Sequence, residues 1–440
     1  STAMGRSALS SQNFTTATDT YNTAFGYFAG AGITTGVQNT IVGGLAGDAI
    51  TVGGANVAIG YGALSAEDTG NRNVAVGNLA LAVQNSHATN NNTAVGYNAG
   101  GAVTTGVQNT FVGSEAGDAT DDGTNNVAVG FEALSANCGS ANVALGCRAG
   151  KVTTASNNTF VGNNAGTATT SGNENTFLGN KAGEAVTTGA DNTFVGSEAG
   201  DGTDDGAENV AVGKSALSAN CGNENTAVGK GAGLLITGGG NVCLGHAAGD
   251  ALTSGNQNII IGSGTDASTA STNNAIVLGV GITAAANDFS FGKASNEVFN
   301  DFDTDAAWTR SSDERLKTNI VETTLGLDFV NDLRPVKYKW KANGDLDPND
   351  PQLAHLRKLD ENGDVINDMT TDVVMHNFIA QEVKAALDTA GVSDFGGWKE
   401  NKHGVQQVSR EMFVIPLVKA VQELSTALDA ALARIATLEG

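Results

Sequence analysis

A short unit, Asn followed by three mostly apolar or Thr residues and then Gly, recurs through the first 285 residues, and nothing else in the sequence restricts the fold as strongly. Its asparagines run Asn22, Asn39, Asn56, Asn73, Asn92, Asn109 and onward to Asn258, in steps of 16 or 17 residues with one step of 19, from Asn73 to Asn92. A last, looser copy starts at Asn274. A longer duplication lies over this one: Asn109 to Gly146 recurs as Asn192 to Gly229. The chain opens inside a copy, since Thr2-Ala-Met-Gly5 matches Thr226-Ala-Val-Gly229. That opening predicts a fragment or processed product of a longer fibre.

A repeat this short, with one apolar run and two turn clusters, reads as one coil of an all-β solenoid. Alternating small apolar side chains are expected to fill a narrow core, with Gly and Asn at the positive-φ corners. An Ala three residues after each Gly (Ala99, Ala116, Ala133, Ala149) suits a tight interior corner. Asparagines one coil apart are expected to form a side-chain ladder. At about 4.8 Å per coil, sixteen coils give a rod of roughly 75 Å. Its core is too thin to be comfortable alone, so side-by-side association of chains is expected to supply the missing burial.

Composition separates a second piece from the first. Of 59 glycines, 51 precede Asp313, while all four prolines (Pro335, Pro348, Pro351, Pro416) follow it. The net charge of −23, with no run of Lys or Arg, argues against nucleic acid or anionic lipid as partner. No G-X-Y period supports collagen, and no apolar run is long enough for a membrane helix, so no membrane insertion is expected. The four cysteines lack metal-ligand spacing, so neither a metal nor a cofactor is expected.

The Asn-x-Ala-Val-Gly pattern resembles the left-handed β-roll head repeats of trimeric bacterial adhesins and the shafts of phage tail fibres. The second piece carries ordered blocks: Ser311-Ser-Asp-Glu-Arg-Leu-Lys-Thr-Asn-Ile320, Leu333-Arg-Pro-Val-Lys-Tyr-Lys-Trp340, Asn377-Phe-Ile-Ala-Gln-Glu-Val383, and a run from Val408 to Leu424. Over about residues 311 to 430 this order is similar to the C-terminal intramolecular chaperone of endosialidase-type phage tailspikes. The resemblance implies a domain that trimerises, guides folding of the preceding β-structure and then cuts itself off. By motif position it implies Ser312 as nucleophile, Lys317 as base and Ser312–Asp313 as the scissile bond. A serine needs a base, and a lysine serves as one when burial favours its neutral form. Leu316 and Ile320 are expected to supply part of that apolar setting once three chains pack. The family commonly has Gly where this chain has Asn377, a residue able to keep a left-handed turn.

Val414, Leu417, Val421, Leu424, Leu428, Ala431, Ile435 and Leu438 alternate three and four apart, which predicts a parallel coiled-coil seam over 413–439, with Pro416 in the first helical turn. The aromatics Phe289, Phe291, Phe299, Phe302 and Trp308 are candidates for a receptor-binding tip, although a hydrophobic plug on the last coil is the favoured reading. The expected organisation is a β-solenoid shaft over 1–285, its distal end over 286–312, and a small α+β chaperone over 313–440. The expected function is a homotrimeric viral tail fibre that attaches to a host-surface glycan or protein and joins an upstream tail or baseplate component. Cleavage would be single-turnover. A bacterial surface adhesin and a polysaccharide-degrading tailspike are the alternatives. No paired carboxylates stand in a glycosidase setting, which disfavours the tailspike.

Overall fold

The computed structural model describes residues 1–86, 90–294, 296–301, 314–357, 363–364 and 374–439. Contacts divide the chain into two units, Ser1–Ser311 and Ser312–Gly440.

The first unit is a β-solenoid built from one short strand per coil. Sixteen three-residue strands, from Thr2–Met4 to Ile259–Ile261, each pair in parallel with the next. Ile276–Val280 and Asp288–Lys293 continue the stack, so the coil pattern extends past residue 285. Asn296–Asp301 then folds back antiparallel on Asp288–Lys293. Parallel register is kept without slippage, as in Phe160 on Phe177 on Phe194.

The interior differs from simple alternation of apolar residues. Of the three strand residues, the middle one points inward (Ala58, Ala75, Phe111, Phe160), together with the asparagine two places before it, and these are fully buried. The two flanking residues point outward. Period-two geometry requires this, because the asparagine and the central residue share one face.

The asparagine ladder forms as expected. From Asn39 to Asn258 each asparagine N–H donates to the side-chain Oδ1 of the asparagine one coil earlier, at 2.8–3.2 Å. Most side-chain amides also donate to a carbonyl in the following turn, as Asn39 Nδ2 does to Gly53 O at 2.9 Å. Polar groups buried this deeply are tolerable because they are satisfied. The asparagine itself does not take the positive-φ corner. The residue before it does, whatever its type: Gln38, Gln108 and Glu208 all have φ near 60°. By the same rule the last copy is displaced by one: Asn274 takes the left-handed place at φ 58°, and Ala275 donates its N–H to Asn258 Oδ1.

The unit's glycine is required by its neighbour. At Gly113, φ is +140°, and a Cβ would lie 2.4 Å from the carbonyl oxygen of Gly130 in the next coil. The expected Ala corner is buried in every regular coil, from Ala29 to Ala248. In eight coils the residue after that Ala exchanges volume with the strand centre. Coils with Ala58, Ala75, Ala128 or Ala211 in the strand carry Leu64, Leu81, Leu134 or Leu217 at the corner. Coils centred on Phe111, Phe160, Phe177 or Phe194 carry glycine there, where a Cβ would come within 2.3–2.5 Å of the ring. One interior volume is thus filled from either side, as close packing demands.

The 19-residue step marks a polar core. Glu67 is fully buried and accepts from Gly70 N at 2.6 Å, Thr69 N at 3.2 Å, Gln84 Nε2 at 2.9 Å and Asn90 Nδ2 at 2.7 Å. The four cysteines are unbridged. Burial pushes the Cys243 thiol up to about 12, and raises Cys138 and Cys221 as well.

The second unit is a small α+β fold. It comprises α1 (Leu327–Asp332), α2 (Ala380–Thr389) and α3 (Val414–Glu439) with two antiparallel pairs, Val336–Tyr338 with Met375–Asn377 and Trp398–Glu400 with Gln406–Val408. Its core gathers Leu325, Phe329, Val383, Ala386, Leu387 and Phe413. Phe413 is the hub, with ring centroids 4.9 Å from Phe378, 5.2 Å from Phe395 and 6.3 Å from Phe329.

Candidate functional site

The segment after the proposed scissile bond begins with a single helical turn, Glu314–Leu316, closed by Lys317 N donating to Glu314 O at 3.0 Å. Lys317 is exposed within the chain. Ile320 and Val321 are 63 % and 85 % exposed. The apolar setting expected around Lys317 is therefore not completed by Ile320 within one chain. Ser312 and Asp313, like Phe302 and Trp308, lie outside the described residues.

The chain just beyond Lys317 is tied to α3. Lys419 Nζ donates to Glu322 Oε1 at 2.8 Å and holds that carboxyl below its usual range. Glu423 Oε2 accepts from Leu327 N at 2.7 Å, so a residue of α3 caps the start of α1. Gly326 permits the approach, since a Cβ there would lie 2.2 Å from the Glu423 carboxylate. Sequence reasoning did not find this cap; its signal was a glycine beside a helix start, too common to read.

The sequence blocks meet in space. Val336 and Tyr338 of the second block pair with Asn377 and Met375, at the edge of the third. Arg334 forks onto Glu382, joining the same two blocks through charge-assisted hydrogen bonds. Asn377 does not keep a left-handed turn. It ends a strand, and its Oδ1 accepts from Phe378 N at 2.9 Å.

The helix α3 starts at Val414, which places Pro416 in the first turn. Pro416 and Ala420 face inward, while Val414, Leu417, Val421, Leu424, Leu428, Ala431, Ile435 and Leu438 are all exposed. From Leu424 to Glu439 every residue is exposed, so this part of the helix packs on nothing among the described residues of its own chain. Of the tip candidates, Phe289 and Phe291 lie on one face of their strand, in line with Ile276 and Leu278, and their centroids are 5.8 Å apart. Phe299 pairs with Ser290 and therefore lies on the opposite face. The three described aromatics do not form one platform.

Residues 312–392 match the family model of the chaperone of endosialidase. The chain thus carries an endosialidase-chaperone domain after a long β-solenoid. The match spans less than a fifth of the chain and covers the Ser312–Lys317 motif and the second and third blocks. The run from Val408 onward, with all of α3, lies beyond it. No curated protein and no solved structure matches the chain. Among the described residues, no helix is long and apolar enough to cross a membrane, and no three His, Cys, Asp or Glu side chains cluster as metal ligands.

Proposed function

We propose that this chain is a homotrimeric host-attachment fibre of the viral tail type, whose C-terminal unit brings three chains together and then releases itself between Ser312 and Asp313. The observation that carries this reading is the bare seam of α3, beside a chaperone domain whose family match begins at the candidate nucleophile. An isolated helix with an unburied heptad seam is a poor monomer, and three such helices bury one another's a and d residues.

The solenoid leaves a second apolar surface for the same assembly. The third strand residue is apolar in every coil, from Met4 and Phe25 through Val42, Ile59 and Val76 to Leu278 and Phe291, and it points outward. A continuous apolar column of this length is characteristic of an interface.

Chemically, Lys317 takes the proton of the Ser312 hydroxyl, and the oxygen attacks the scissile carbonyl of a neighbouring chain, since attack on its own carbonyl would close a strained four-membered lactone; the C–N bond breaks and the amine of Asp313 leaves with the proton that Lys317 carried. Water then hydrolyses the resulting ester. A lysine serves as this base where burial favours its neutral form; Lys317 is exposed in one chain, so the step is expected to wait for assembly. The ties from Glu322 and Leu327 to α3 connect the segment behind Lys317 to the helix that senses trimerisation.

Denaturing mass spectrometry of the purified chain and of Ser312→Ala, with light scattering of both, tests the reading. Wild type is expected to yield a fragment beginning at Asp313, the variant to remain whole, and both to assemble as trimers. An uncut wild-type trimer sinks autocleavage and leaves the chaperone role; a monomer sinks the fibre.

A further inference from the structure

The solenoid displays a column of exposed aromatic rings that neither its core nor its strand pairing uses. The residue immediately after the unit's glycine is Tyr27, Gly44, Tyr61, Asn78, Tyr97, Ser114 and Phe131 in seven successive coils. Large rings therefore alternate with small residues. The column is in register: the carbonyls of Tyr27, Gly44, Tyr61, Asn78, Tyr97 and Ser114 each accept from the following coil, at 2.8–3.1 Å. Tyr27, Tyr61, Tyr97 and Phe131 are 43–56 % exposed.

The coil does not require an aromatic at this place. Later coils carry Cys147, Asn163, Asn180, Ser197, Lys214, Lys230 and His246 there. The comparison is sharpest inside the long duplication, where Phe131 has Lys214 as its counterpart. A place that holds Lys or Ser in later coils but Tyr or Phe in every second coil from Tyr27 to Phe131 points to a ligand rather than to packing.

Two coil rises separate neighbouring rings by about 9.6 Å, and the column from Tyr27 to Phe131 spans about 29 Å, or about six extended sugar units. An extended β-1,4-linked chain of pyranoses turns the same ring face to one side at every second sugar, at a similar repeat. Its equatorial hydroxyls leave a flat C–H face that stacks on an aromatic ring. A helical α-1,4-linked chain lacks that repeat. Asn78 and Ser114, between the rings, offer amide and hydroxyl groups to sugar hydroxyls. Both ends of the column are marked by a guanidinium: Arg6 lies 5.6 Å from the Tyr27 ring centroid and Arg148 lies 5.9 Å from that of Phe131. Rings held on a rigid stack lose little entropy on binding.

We infer that Tyr27, Tyr61, Tyr97 and Phe131 form a linear binding site for an extended β-1,4-linked polysaccharide along the side of the solenoid. The inference deepens the host-attachment reading and rests on it for its biological role, while sugar binding by the column is independent of cleavage at Ser312.

Isothermal titration of the full chain with cellohexaose and with the hexamer of N-acetylglucosamine tests it, with maltohexaose as the control. At least one β-1,4 hexamer is expected to bind, and maltohexaose to bind far more weakly. Tyr61→Ala and Tyr97→Ala should each weaken binding about fivefold, and the double variant more, while Tyr61→Phe keeps it. Failure of both hexamers to bind overturns the inference, as does equal binding of maltohexaose or of the double variant. Light scattering on the same samples separates the remaining occupant: a drop in oligomer mass for the double variant would make the column a contact between chains and overturn the site. A trimer that binds no sugar leaves the fibre reading standing.

Discussion

The two units of this chain reach order by opposite means. In the solenoid the asparagine ladder recurs from coil to coil, so a buried asparagine finds its partner one coil away, as Asn39 N does on Asn22 and Asn56 N on Asn39. In the C-terminal unit no contact recurs: Phe413 meets Phe329, Phe378 and Phe395 from three different segments, and Glu423 reaches back almost a hundred residues to cap α1. Repetition makes a structure easy to extend and hard to start in register, because any coil can stack on any other. An aperiodic domain has one arrangement only. Joining the two lets a uniquely folded trimerising unit set the alignment that a repetitive unit does not specify.

The largest effect should come from the seam. Leu424→Asp with Leu428→Asp places three charges in each of two successive layers of a trimer, and light scattering should show a monomer. A trimer that survives would place the assembly information in the solenoid and reverse the division of labour.

Next comes the backbone of the repeat. Gly113→Ala adds a Cβ where φ is +140° and a carbonyl lies 2.4 Å away, and should cost more than about 4 kcal/mol. Gly231→Ala, at φ +65° with nothing within 4 Å, should cost only about 1 kcal/mol. Equal melting temperatures for the two would refute the close approach between coils.

The exchange of interior volume is open to a rescue. Phe160→Ala should lose about 3–5 kcal/mol to a cavity. Adding Gly166→Leu recreates the Ala128–Leu134 arrangement and should recover at least half of the loss in denaturant melts. No comparable rescue is expected for Phe413→Ala, whose neighbours have no repeated alternative.

The smallest effect concerns the Lys419–Glu322 pair. A carboxyl held below its usual range stabilises the fold above its unfolded value and ceases to as pH falls through the lowered one. Wild type should therefore lose slightly more stability than Glu322→Gln on acidification below about pH 4.5. Exposure of Glu322 keeps that difference small. Identical acid profiles would remove the pair from the link between α3 and the segment behind Lys317.

Much of the solenoid was legible in the sequence, because its unit is local and repeated. The spacing of Asn, Gly and Ala announces the coil, the ladder and the small corner. The direction of the strand side chains was not legible, since Val-Ala-Val reads equally well with either set inward, and the inward asparagine breaks the tie only once its ladder is seen. Glu67 escaped notice because one carboxylate among polar turn residues looks solvated until the 19-residue step folds Gln84 and Asn90 over it. In the C-terminal unit the motif blocks and the heptad of α3 were visible, but Arg334 with Glu382 and Glu322 with Lys419 are pairings across 48 and 97 residues, which no local pattern encodes.

The sequence by itself thus determined the coil, its period and the seam, because each follows from the spacing of a few residue types along the chain. Tertiary structure alone decided what lies on the surface: an apolar strand face, a bare helix seam, and a column of rings in every second coil from Tyr27 to Phe131. Those depend on which way each side chain points and what stacks beside it, and only the folded coil sets both.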